Sequence, residues 1–151
     1  MELPKNVRVA SWLGAECVSS FLQRNDIVDR RLEDFTNHMS SLVFSENVPE
    51  WDDVAMKLQI DGMGDPLPDH LDSLVGLDEL LISVREISAS QIYGTFYPRE
   101  VESRLIKAIE ISRLDLSNYN LFRMVRVSTK PEGWGPPLTE EFVDGFHLNR
   151  S

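Results

Sequence analysis

The spacing of the apolar residues limits what this chain can fold into more than any other feature. Val28, Leu32, Phe35, Met39 and Leu42 follow one another at steps of four and three, while Arg30, Glu33, Asp34 and Asn37 fall between them. A repeat near 3.6 residues returns such positions to one stripe of a helix, so this segment predicts an amphipathic helix. Asn25 or Asp26 is its expected cap, with Asp29 adding a carboxylate that suits the helix dipole. Fewer than three heptads are present, which favours a core helix over a coiled-coil seam.

The same spacing recurs along most of the chain. Val9, Trp12, Leu13, Cys17, Phe21 and Leu22 mark a helix starting near Asn6. Within it Gly14 costs up to ~1 kcal/mol relative to Ala or admits a neighbouring backbone. Pro49 suits the first turn of a third helix, where its missing N–H is harmless. Trp51, Val54, Ala55 and Leu58 are that helix's expected buried stripe, and Gly62 and Gly64 close it. A short helical turn from Pro68 to Val75 precedes a face made of Leu77, Leu80, Leu81, Val84 and Ile87. Ile92, Tyr93, Phe96 and Tyr97 form an apolar–aromatic joint around Gly94, and Pro98 opens a helix that faces inward through Val101, Leu105, Ala108, Ile109 and Ser112.

These stripes predict a mainly α fold of about five to six antiparallel-packed helices in a single helical domain spanning residues 1–151. Past Leu116 the pattern weakens. Residues 120–129 read equally as a short edge strand, a small β appendage, or as a final helix. Residues 130–151 form a loop-rich C-terminal tail, packed on the domain or fraying from it, with Trp134 in a Pro/Gly loop and Thr139 capping a short turn.

A domain of this length buries about 70% of its unfolded surface, enough for a core without staples. Cys17 is the sole cysteine, so neither an internal disulfide nor a cysteine-based zinc site is available. No Lys, Arg or His adjoins it to activate the thiol, and a packed, inert role is expected. The start MELPKNVR lacks the basic and apolar segments of a signal peptide, and no apolar run approaches the ~20 residues of a membrane span. The expected location is the cytoplasm, with no membrane association.

Charge is distributed unevenly. From Glu46 to Glu79 ten carboxylates face one lysine, Lys57, for a net −9 in a chain whose total is −10. So acidic a balance excludes direct binding of nucleic acid, which needs clustered Lys and Arg, and favours a basic protein partner. The expected partner-binding residues are Glu50, Asp52, Asp53, Asp61, Asp65, Asp69 and Asp72.

Catalytic signatures are absent from the sequence: it has no GxSxG, Walker, GxGxxG or HExxH pattern. Asp61, Asp65 and Asp69 depart from the alternating ligands and closing Glu of a calcium loop. His38, His70 and His147 are far apart in sequence, and Asp69, His70 and Asp72 make up only a helix start. No metal, no cofactor and no enzymatic activity are expected.

In size, charge, lack of catalytic motifs and the acidic residues Asp52, Asp53, Asp61, Asp65, Asp69 and Asp72, the chain resembles bacterial immunity proteins. These protect a cell from toxins of contact-dependent inhibition or polymorphic secretion systems. The resemblance implies a cytoplasmic inhibitor that binds a cognate toxin domain; it shares no motif and assigns no residue a role. Two other classes stay open: an α-helical adaptor or regulatory subunit anchored by Trp134 and the aromatics of residues 92–97, and an enzyme with an unrecognised carboxylate site.

Overall fold

Helix α1, Val7–Arg24, runs through the middle of the molecule and is buried on almost every side along its first half. A computed structural model describes residues 2–148, apart from the side chain of Asp69. The N-cap of α1 is Asn6, whose side chain accepts from the Val9 amide. Against α1 pack α2 (Arg30–Ser41), α4 (Leu77–Ile92) and α5 (Pro98–Ser112), and α4 also packs on α5. A 3-10 turn, Leu42–Phe44, extends α2 and leads to α3, Val48–Ala55. A second 3-10 turn, Asp69–Ser73, precedes α4. The fold is therefore mainly α, with helices packed closely around one core.

The apolar stripes explain most of this packing. Leu32, Phe35, Met39 and Leu42 are fully buried, as are Leu77, Leu80, Val84 and Ile87 on α4 and Val101, Leu105 and Ala108 on α5. Gly14 is where α1 meets α4 closely: a β-carbon there would stand 3.1 Å from Val84 Cγ1.

Several expectations are corrected. The cap of α2 is Asp29, whose carboxylate accepts from the Arg31 and Leu32 amides, and not Asn25 or Asp26. The chain is still closing α1 at those two residues, with Asp26 at a φ of 53°, and this leaves Val28 in solvent. On α3 the buried face is Trp51, Asp52 and Ala55; Val54 points out. Of the two readings of residues 120–129 the helix is the one found: α6 (Leu121–Val125) is capped by Asn120, whose side chain accepts from the Arg123 amide. Among the described residues the sole β pairing is an isolated bridge between Tyr119 and His147.

The tail packs on the domain as far as residue 148. Asn6 donates from its side-chain amide to the carbonyls of Ser128 and Trp134, and the Val7 amide donates to Gly133. The Leu138 amide donates to Val43 O, and α7, Glu140–Asp144, brings Val143 and Phe146 into the core. Trp12 of α1 meets Tyr119, Phe146 and His147 edge-on. The expected fraying end, residues 149–151, lies outside the described residues.

Candidate interaction face around the third helix

Helix α3 carries three carboxylates of the acidic stretch, Glu50, Asp52 and Asp53, and its placement follows from three local features. The Asn47 side chain accepts from the Glu50 amide, Pro49 occupies the first turn, and Glu50 faces the positive end of the dipole. The helix then docks through Trp51 and Asp52.

Trp51 and His38 hold each other twice. The indole Nε1 donates to His38 O at 3.0 Å and to Ser41 Oγ at 3.1 Å, and His38 Nε2 lies 2.8 Å from Trp51 O. A carbonyl only accepts, so Nε2 carries the hydrogen. The two rings stack 10° from parallel with centroids 4.6 Å apart. Burial pulls the His38 pKa down, which keeps the ring neutral at pH 7.

Asp52 meets a cation in the core. Its Oδ1 accepts from Arg85 Nη2 at 2.5 Å, and its Oδ2 accepts from the Tyr93 hydroxyl at 2.6 Å. Arg85 Nη1 donates to Ser88 Oγ, and the guanidinium lies over the Trp51 ring, 5.6 Å from its centroid. Arg85 Nε is buried without a hydrogen-bond partner among the described residues. The Asp52 carboxylate, by accepting its proton, pushes the Tyr93 phenol pKa up. Asp52 is therefore not a solvent-facing contact residue. A buried guanidinium left alone is far costlier than a buried pair, so α3 turns its carboxylate inward and its valine outward.

A second buried arginine fixes the neighbouring segment. Arg8 donates to the carbonyls of Leu42 at 2.8 Å, Ser45 at 2.6 Å and Gly135 at 3.3 Å. It thereby satisfies the end of the first 3-10 turn and ties it to α1 and the tail, and burial lowers its pKa.

The other expected residues separate into groups. Glu50 and Asp53 are exposed on α3. Asp61 is half-buried and accepts from the Met63 amide, and it borders a small cleft of about 20 Å³ with Asp65 and Asp78, roughly the space of one water. Asp72 is exposed on the second 3-10 turn. The Asp69 side chain lies outside the described residues. Of the six whose side chains are described, Asp52 is thus buried, Asp61 half-buried, and Glu50, Asp53, Asp65 and Asp72 exposed. Among the described residues, no group of three His, Cys, Asp or Glu is placed to hold a metal ion, and no helix is long and apolar enough to cross a membrane.

Neutralisation is uneven as well. Asp52 is matched by Arg85 and Glu79 by Lys107, whereas no ion pair joins Glu46, Glu50, Asp53, Asp61, Asp65, Asp72 or Asp78 among the described residues. Next to these carboxylates lie exposed apolar groups: Phe44, which the sequence did not single out, Val54, which it placed inside, and Tyr93 of the aromatic joint. Phe44 is 37% exposed, Val54 49% and Tyr93 64%, and the Tyr93 hydroxyl also reaches Met56 Sδ. Trp134, the other aromatic singled out in the sequence, is half-buried and packs against the core. Cys17 is fully buried, and burial pushes its thiol up to about 12. No protein-family model matches the chain, and neither a curated protein nor a solved structure matches it.

Proposed function

We propose that the chain is a binding protein that neutralises a basic protein partner through the exposed carboxylates of α3 and the segment after it. Its finer role in this reading is that of an immunity protein inhibiting a cognate toxin domain in the cytoplasm. One observation carries the reading: after Asp52 and Glu79 pair with Arg85 and Lys107, Glu50, Asp53, Asp61, Asp65 and Asp72 still have no ion-pair partner among the described residues. Like charges held this densely oppose compactness, and Lys and Arg of a partner relieve them. The same field steers an oppositely charged partner and raises the association rate.

The test is partner isolation followed by kinetics at two ionic strengths, using Glu50→Lys combined with Asp53→Lys. Both residues are exposed, so the double variant keeps its fold. The reading expects a basic partner whose association slows with salt and with the double reversal, and a toxic activity that the wild-type chain suppresses. An acidic partner, or an association rate indifferent to both changes, overturns it.

A second reading, an α-helical adaptor assembling through an apolar face, is favoured by Tyr93 and Tyr97, which stand 64% and 58% exposed between α4 and α5. Aromatic residues in such positions dominate interface energetics. Loss of partner binding in Tyr97→Ser, with full binding in the charge-reversed variant, selects the adaptor.

A further inference from the structure

Between the first 3-10 turn and the outer flank of α3 lies an open depression of about 810 Å³. Phe44 and Val54 supply apolar walls, Trp51 lies at its base, and Glu46 and Glu50 border it without ion pairs among the described residues. Both sides are held from behind. Arg8 clamps the carbonyls of Leu42 and Ser45 on one side, while Asp52–Arg85 and Trp51–His38 fix α3 on the other. A recess formed before binding loses little conformational freedom when it is filled.

We infer that this depression is the anchoring point for a basic amphipathic segment of a partner protein, taking an aliphatic side chain between Phe44 and Val54 while flanking Lys or Arg residues meet Glu46 and Glu50. The inference rests on the proposed function and narrows it to one place and one partner chemistry. Charge complementarity decides the occupant. An acidic segment is repelled, and an uncharged apolar one strips water from two carboxylates without returning a cation. A segment combining both features satisfies the apolar walls and the charges together, in the manner of helix-in-groove recognition.

The experiment titrates the full chain with a short synthetic helix of leucine and lysine at amphipathic spacing. Matched peptides carrying glutamate or serine in place of lysine are the controls. Binding is followed by amide chemical shifts and affinity. The expected result is saturable binding of the lysine peptide alone, with shifts centred on residues 44–54. Val54→Lys and, independently, the exposed pair Glu46→Lys with Glu50→Lys each weaken binding about tenfold or more. Glu110→Lys, an exposed carboxylate on α5 outside the acidic stretch, weakens it by less than about threefold.

Shifts centred on residues 61–72, with the α3 variants inert, overturn this anchoring site and leave the acidic-binding reading standing. Equal binding of the serine peptide overturns the charge component, and a dimer dissolved by Val54→Lys assigns the face to a second copy and overturns the partner. Failure of the lysine peptide to bind anywhere counts against both readings.

Discussion

Asp52 and Arg85, 33 residues apart in sequence, form an ion pair 2.5 Å long with side chains only 7% and 0% exposed. The pair pins α3 to α4 and so decides which face of α3 meets solvent. Its worth differs sharply between removing one partner and removing both. Asp52→Ala leaves the Arg85 charge buried and unmatched, for an expected loss of about 3–5 kcal/mol. Asp52→Leu with Arg85→Met replaces the pair by apolar groups, and its stability is expected within ~1 kcal/mol of the wild type. Urea denaturation of both variants checks this, and a loss under ~1 kcal/mol for Asp52→Ala contradicts the buried pair. Reversing Asp52 accordingly reports on folding and not on partner binding.

Phe35 and Leu105, each fully buried, test the core itself. Phe35→Ala is expected to cost about 3–5 kcal/mol and Leu105→Ala about 2–5 kcal/mol, through lost apolar transfer plus the cavities left behind. The two residues lie on different helices of one cluster, α2 and α5. Values under ~1 kcal/mol in either denaturation curve mean that these faces are solvated.

What the sequence made legible was set by the apolar period. On α5, Val101, Leu105, Ala108 and Ser112 were readable because no other force competes there, and all four are buried. On α3 the same reasoning placed Val54 inside and left Asp52 outside, ranking each residue by its own transfer cost. Arg85 inverts that order, and arginine so rarely lies fully buried that nothing in the sequence points to it. The density of negative charge was likewise readable, but not which carboxylates are matched, since Arg85 and Lys107 lie far along the chain. Residues 120–129 stayed ambiguous because α6 has one buried side chain, Met124, too few to define a period.

Gly62 shows how tightly the pair is packed. At a φ of 71°, a β-carbon on it would lie 2.8 Å from Arg85 Cβ, 2.9 Å from Phe35 Cε2 and 3.0 Å from Leu81 O. Two of these atoms belong to α4 and cannot yield without moving the helix. Gly64 has a φ of 93° but open space around it. Gly64→Ala therefore isolates the backbone cost, about 1–2 kcal/mol, and Gly62→Ala is expected to cost clearly more. Equal losses in thermal or urea unfolding would falsify close packing behind Arg85.

His38 makes the α2–α3 junction sensitive to acid. Burial lowers its pKa below the ordinary 6.5, the nearby Arg85 charge acts in the same direction, and the Trp51 carbonyl and Asp52 act against them. The unfolded chain therefore takes up a proton near pH 6.5 that the folded chain still refuses. This contribution to stability is fully present above that value and declines as pH falls through it, until the folded ring also protonates. His38→Gln keeps an amide N–H to donate toward Trp51 O and does not titrate. Urea midpoints measured between about pH 7.5 and about pH 5.5, a window above the usual carboxylate range, are expected to fall for the wild type and to fall less for His38→Gln. The difference between the two slopes belongs to His38, because His70 and His147 are common to both proteins. Parallel slopes, or a wild type that gains stability on acidification, show that the ring does not enter the junction neutral.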